Sequence, residues 1–334
     1  MKTSIIKKEV NYLKTIIKQQ VTFKKSSPNE FIKEMKKFGP LYLLMVPGIL
    51  YFIIIKYIPM WGISIAFFDY KVWTPNLFDN QWVGLQNFKT FIQSPSFITV
   101  LRNTLGITGL KLIIGSPFPL ILALMVNEIR NTTTKRVIQT VSYLPHFLSW
   151  VIVYGLFFAI FNQTYGAINN VLADLGLSKI DILTNKSWFW QTLLASHMWK
   201  NIGWSSIVYL AAISGIAPEL YESAQIDGAN RWQQTRHITI PSVLPVFAIL
   251  FILALGKILN EDFEQVLMFM GGPDAVYMTD VGEVFETYVF RIGLVQARYS
   301  YAVAIEIFKS IVGLILVINA NRIAKKYFNY RGVW

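Results

Sequence analysis

Six apolar segments recur along the chain, at residues 41–68, 100–127, 138–161, 190–215, 241–260 and 301–320. Each is close to or above the roughly 20 residues that a helix needs to cross a bilayer. No other feature constrains the fold as tightly. In hydrocarbon every backbone N–H and C=O must be paired, and runs of this length leave helices as the way to do it. Composition agrees: 15% of the residues are charged, against about 25% in ordinary soluble domains. A length of 334 residues would otherwise suit two soluble domains. The expectation is an all-α polytopic membrane protein with about six spanning helices. Pro47, Pro59, Pro117 and Pro119 fall inside the first two segments and predict kinks. The first segment begins near Leu41, behind a long basic stretch, so it is expected to remain as an anchor and not to be cleaved as a signal peptide.

The net charge of +12 is unevenly placed. Residues 1–40, 128–137, 216–240 and the C-terminal tail together hold nineteen Lys and Arg, among them Arg130, Lys135, Arg136, Arg231, Arg236, Lys325, Lys326 and Arg331. The alternate loops hold six: Lys71, Lys89, Lys179, Lys186, Arg291 and Arg298. The richer side is expected to be cytoplasmic, with both termini inside. This accounts for the basic balance without nucleic acid. Residues 2–25 carry Ile6, Val10, Leu13, Ile17 and Val21 at helical spacing among lysines, which fits either an interfacial amphipathic helix or a disordered basic tail. On the outer side, 261–286 is acidic, and Gly271-Gly272-Pro273 marks a turn there.

Chemistry-bearing motifs are missing. No G-x-x-x-x-G-K-[ST] phosphate loop occurs, and His146, His197 and His237 are far apart with no His-Glu-x-x-His. Tyr143-Leu144-Pro145-His146 reads as a helix entry. There is no cysteine, hence no disulfide framework. The chain is expected to hold no catalytic residue, metal or cofactor.

Between two of the apolar segments lies a polar island, Tyr221 to Pro245. Pro218 suits the first turn of a short helix, Asp227-Gly228 a turn, and Ala229 to His237 a second short helix ending before Pro241. Glu222, Ala224, Asp227, Gly228, Ala229, Ile238, Pro241 and Pro245 together resemble the E-A-A-x-x-D-G-A coupling loop of binding-protein-dependent ABC importers. Ser223 stands where alanine is usual, and Thr235 where an aromatic is common. Trp82 to Phe88 and Asn103-Thr104-Leu105 resemble sugar-importer permeases. The runs Phe263-Glu264-Gln265, Tyr288 to Leu294 and Phe308-Lys309-Ser310 are similar to the LplB-like branch of them.

The resemblance implies a type I ABC importer transmembrane domain over 41–321 with a coupling loop at 216–240. A basic segment, 1–40, precedes it and a cytoplasmic tail, 322–334, follows. It implies a bacterial inner-membrane permease for oligosaccharides, paired with a second homologous permease, two ATPase subunits that hold Mg-ATP, and an extracytoplasmic sugar-binding protein. Glu222, Ser223, Ala224, Asp227, Gly228, Ala229 and Arg231 would then meet the ATPase. By likeness to maltose-type permeases, Asn201 and Trp204, with Trp199 beside them, and Asn260 and Glu261 would line the sugar cavity. Ionisable residues inside membrane segments are costly and default to functional or paired positions. Lys200, Lys257 and Glu306 join the candidates on that ground, and Glu264 by its helical spacing with Lys257, Asn260 and Glu261; the two lysines suggest an acidic saccharide, unless Glu261 and Glu264 neutralise them. Lys56, Lys111 and Lys309 are instead expected to reach the interface from span ends. The tryptophans also suit an interfacial belt. An ion-coupled secondary transporter, or an ABC permease for another solute, are the rival readings.

Overall fold

The computed structural model describes residues 37–327 except positions 75, 273, 274 and 276, and for 323–327 the backbone alone. The expected N-terminal amphipathic helix, Pro273 of the expected turn and the residues after 327 lie outside the described residues. Among those described the only β pairing is an isolated bridge between Phe68 and Trp82.

Helix α1 (Gly39–Phe52) carries Pro47, passes through a π turn at Ile53–Tyr57 and continues as a tighter helix over Ile58–Phe67. It is apolar on every side, which suits a lipid environment. The rest of the chain forms a second unit, beginning at Ile63. Short α2 (Gln86–Ile92) leads into α3 (Pro95–Leu110), a π turn at Lys111–Gly115 and α4 (Pro117–Asn127). α5 (Thr132–Tyr143) and α6 (Trp150–Phe161) follow, then short α7 (Ala167–Asp174) and the long α8 (Phe189–Ser214). After it come α9 (Pro218–Ile226), α10 (Arg231–Gln234), a π turn at Thr235–Thr239 and α11 (Ile240–Leu255). Helices α12 (Phe263–Met270), α13 (Phe285–Phe290) and α14 (Tyr299–Tyr327) complete it.

Among the described residues, four helices are long and apolar enough to cross a membrane: Gly39–Phe67, Pro95–Asn127, Arg231–Leu255 and Tyr299–Arg322. α8 has 26 residues, about 39 Å at 1.5 Å each, but more polar ones. The expected continuous span 138–161 is instead broken, its halves meeting at 107°. Pro145 sits in a 3₁₀ turn over Leu144–Phe147, Leu148 and Ser149 are extended, and Ser149 Oγ then caps α6 by accepting from Ile152 N. The expected prolines act in a regular way. Pro59, Pro117 and Pro241 each follow a π turn, because a proline offers no N–H to the preceding turn and its ring crowds the carbonyl there. The second polar-island helix therefore does not end before Pro241, as expected from its sequence. It runs through the π turn into α11 as one 25-residue helix.

Two residues singled out by sequence turn out to be pins. Asn87 Nδ2 donates to the Ala66 carbonyl at 2.9 Å, and Asn103 Nδ2 donates to Asp280 O and Glu283 O at 3.2 and 3.1 Å. Two lysines expected at the interface are instead buried and paired. Lys309 lies 3.1 Å from Glu286 and 2.9 Å from Glu306, and Lys111 meets Glu261. An unpaired cation at that depth would be expensive, so burial and pairing go together. Two ion pairs join polar loops at the ends of the bundle. Arg231 pairs with Glu128 at 3.2 Å, joining loops 128–137 and 216–240, and Lys186 pairs with Asp280 at 2.9 Å, joining two of the alternate loops.

α5 and α8 meet backbone to backbone at Gly203, where an added Cβ would overlap the Ser142 carbonyl. Gly203→Ala should therefore force the two helices apart. Overpacking of this kind costs about 1–3 kcal/mol, so a lower melting temperature of the purified complex in detergent is expected. An unchanged melting temperature would show that the contact yields.

Candidate functional site

A cavity of about 690 Å³ opens between the α3–α4 span, α8, α11 and the segment after it. Its apolar side is Leu112, Pro119, Tyr209, Phe247, Leu250 and Phe251. Polar groups converge opposite: Thr108, Lys111, Ser116, His197, Asn201, Ser205, Lys257, Asn260, Glu261 and Asp262. An apolar concavity with a few placed polar groups is the usual form of a small-molecule site. One buried network fixes one of its walls. Lys111, in the π turn, pairs with Glu261 Oε1 and donates to Gln265 Oε1 at 2.6 Å. Thr108 Oγ1 donates to Glu261 Oε2 at 2.9 Å. Gln265 Nε2 donates to Leu193 O and Ser196 Oγ on α8, at 2.7 and 2.9 Å. Both Glu261 oxygens are thus engaged by protein.

Of the residues expected to bind sugar, the structure brings Asn201, Lys257, Asn260 and Glu261 to this cavity, and not Trp199, Lys200, Trp204 or Glu264. Lys200 is buried, donates to His146 O at 2.7 Å and lies 5.3 Å from the Trp150 ring centroid. Trp204 stacks on His146, with centroids 4.7 Å apart and planes 2° apart, while Trp199 stands edge-on to Phe157. Glu264 is exposed. Sequence reasoning missed His197 and Ser116. Asn201 bridges two histidines: its Oδ1 accepts from His146 Nδ1 at 3.0 Å, and its Nδ2 donates to His197 Nδ1 at 3.3 Å. That arrangement leaves the proton of a neutral His197 on Nε2. Ser116 Oγ is buried without a hydrogen-bond partner. No group of three or more His, Cys, Asp or Glu able to hold a metal ion occurs among the described residues. Outside the spans, burial outweighs Arg291 at Glu283 and raises its carboxyl above the usual range.

At the other end of the bundle the polar island forms a helical hairpin. α9 opens at Pro218 and closes at Asp227, after which Gly228 turns the chain at φ +77° and Ala229 N donates back to Ala224 O at 2.8 Å. Asn230 and Gln233 cap α10 reciprocally, each side chain accepting the other's backbone N–H. Tyr221 and Thr239 hydroxyls bond across the hairpin at 2.9 Å. Ala224, Asp227, Gly228 and Ala229 line a concavity of about 310 Å³ with Gln233, Gln234, His237 and Ile238. Glu222, Ser223 and Arg231 are exposed, and so are the large side chains Ile226 and Trp232, which the sequence reading passed over.

A family model described as binding-protein-dependent transport system inner membrane component matches residues 115–327. The polygalacturonan/rhamnogalacturonan transport system permease protein YteP of Bacillus subtilis is 42% identical over 92% of this chain and 94% of its own. Protein LplB of the same organism is 43% identical over 86% and 89%. A crystal structure of a bacterial ABC transporter involved in import of the acidic polysaccharide alginate superposes with a TM-score of 0.80 at 40% identity, covering 89% of this chain and 99% of that one. A bacterial alginate ABC transporter in complex with its alginate pentasaccharide-bound periplasmic protein gives a TM-score of 0.80 at 39% identity, covering 90% and 99%. The chain belongs to the binding-protein-dependent transport system inner membrane components, the non-enzymatic permease subunits of ABC importers.

Proposed function

We propose that this permease carries acidic oligosaccharides, such as uronides, through the cavity between the α3–α4 span, α8 and α11. One observation carries the choice of an acidic cargo. Of the three lysines near the cavity, Lys111 is neutralised by Glu261 and Lys200 is turned to the His146 carbonyl. Lys257 alone remains exposed at the cavity, with no ion-pair partner among the described residues. Asn201, Asn260 and His197 supply hydrogen bonds to hydroxyls, and Tyr209, Phe247 and Phe251 supply ring faces. The names of YteP and of the alginate transporter, both describing acidic glycans, support this reading.

The working assembly proposed is this chain with a second, similar permease, two ATPase subunits that bind and hydrolyse Mg-ATP, and an extracytoplasmic binding protein that delivers the glycan. Residues 41–321 form the permease domain in the bacterial inner membrane, and 1–40 and 322–334 lie in the cytoplasm. The hairpin within 216–240 docks in the ATPase, with Glu222 toward a basic group, Ile226 and Trp232 covered, and Gly228 setting the angle between its helices. Closure of the ATPase dimer on ATP opens the cavity outward to receive the glycan, and hydrolysis resets it inward.

Substrate-stimulated ATPase activity of the reconstituted importer, with its binding protein, tests the cargo. Uronide oligosaccharides should stimulate and neutral ones should not. Lys257→Gln should raise the half-saturating uronide concentration about tenfold, the equivalent of 1.4 kcal/mol, and Lys200→Gln should leave the preference for uronides intact. Stimulation by neutral glycans alone would overturn the reading. Glu261→Gln removes the partner of a buried lysine. A loss of about 3–5 kcal/mol is expected, read as poor yield of assembled complex, whereas normal yield with weakened uronide binding would make Glu261 a ligand. Glu222→Ala and Gly228→Val should each break the link between ATP hydrolysis and uptake. Normal uptake in both would remove the coupling role from this hairpin.

A further inference from the structure

We propose that Glu128 is a positioning residue for coupling. It ties the hairpin directly to the α3–α4 span and so gives the cavity a second line of transmission beside α11. The inference rests on the reading of residues 216–240 as the coupling segment.

Glu128 caps the C-terminal end of α4. Its Oε2 accepts from Arg231 Nη1 at 3.2 Å and its Oε1 accepts from Thr235 Oγ1 at 3.2 Å. Arg231 is the first residue of α10 and Thr235 the first of the π turn that leads into α11. Each charge stands at the unfavourable end of its own helix. A carboxylate at a C-terminus faces the negative end of the helix dipole, and a guanidinium at an N-terminus faces the positive end. Local electrostatics disfavours both placements, and the contact between the two reverses the sign for each. With both carboxylate oxygens engaged, by two residues four positions apart, the contact fixes rotation as well as distance.

α4 is the lever on the other side of this joint. Its only prolines, Pro117 and Pro119, are in the first turn, so Pro119 to Asn127 is an uninterrupted α-helix. Ala123 packs with Tyr209 and Ile213 of α8 and Val243 of α11 in one buried cluster. Gly115, Ser116 and Pro119 lie in the cavity wall. Ser116 and Glu128 are twelve residues apart, roughly 18 Å along the helix at 1.5 Å per residue. A displacement of Arg231 and Thr235 is therefore delivered to the wall that holds the unpartnered Ser116 hydroxyl, without passing through α11.

The pair is exposed on both sides, so its worth lies in coupling and not in stability. The test uses the whole importer in proteoliposomes, with its partner permease, ATPases and binding protein. Glycan imported per ATP hydrolysed is compared for Glu128→Arg, Arg231→Glu and the double reversal, and Glu128→Gln serves as a second variant in case the reversals assemble poorly. Each single change should lower that ratio roughly two- to fivefold, the range open to an exposed ion pair, and the double reversal should restore it. An unchanged ratio in Glu128→Arg and Glu128→Gln would overturn the inference, and so would a double reversal no better than the worse single one. Glu222→Ala in the same preparation separates the two readings. If it uncouples while the Glu128 variants do not, only the role of Glu128 fails; if it too leaves capture of the ATPase and uptake intact, the coupling reading fails.

Discussion

One buried cation holds one end of the bundle in register. Lys111 belongs to a turn that has been widened ahead of a proline, and its ammonium reaches a carboxylate that lies 150 positions further along the chain. Taking both charges out of water is costly, and the attraction between them offsets that cost only where further hydrogen bonds complete the shell. Here they do. Thr108 completes Glu261, and Gln265 extends the network to the α8 backbone at Leu193. The network thus ties together three elements that also meet through Ile107, Leu193 and Val266 in one buried apolar cluster, and the cavity adjoins it. A half-satisfied version would be worse than an apolar wall. For that reason Glu261 is better understood as the partner of Lys111 than as a group offered to the cargo.

The prolines add a second constraint with the opposite mechanical sense. At Pro117 and Pro241 the helix is kept continuous by a π turn, so direction is preserved while the hydrogen-bond ladder is locally loosened. At Pro145 the chain bends by 107° instead. Sequence context decides between the outcomes. Pro117 and Pro241 are followed by long apolar helix-forming runs, whereas Pro145 is followed within four residues by Ser149, an effective helix cap that starts a new helix in a new direction.

That contrast also explains what was legible in the sequence. Length and hydropathy located most of the helices, because a bilayer sets their scale, but not the break in 138–161, where Pro145 and Ser149 turn the chain. The polar island announced its hairpin through Pro218 and Gly228, whose backbone preferences are local properties. The exposure of Trp204 and the inward turn of Lys200 were not legible. Adjacent positions on one helix differ by about 100°, so knowing that α8 borders a cavity does not say which of Trp199, Lys200, Asn201 and Trp204 faces it. Tertiary contacts settle that: His146, brought over by the bend at Pro145, covers Trp204 and accepts from Lys200. Lys111 was misjudged for a similar reason, since its acid partner lies 150 residues away; Lys309 has one distant partner, Glu286, but its other, Glu306, stands three positions before it on the same helix and was legible.

The continuity of Arg231–Leu255 has the largest consequence for the proposed mechanism. Were α10 a separate short helix ending before Pro241, a push on the hairpin would be lost in a flexible joint. As built, the 25-residue helix carries Arg231 at one end and Phe247, Phe251 and Ala254 on the cavity wall toward the other, over a length of about 37 Å. Its hydrogen-bond ladder is loosened at the π turn over Thr235–Thr239 and again at Pro245, and the π turn is braced on two sides, by Tyr221 at Thr239 and by Glu128 at Thr235. A lever with a braced joint transmits rotation as well as translation. Phe247 and Phe251 line both the cavity and a separate apolar groove against α14. In the proposed mechanism, a turn of α11 about its axis would alter how much of those two rings faces the cavity.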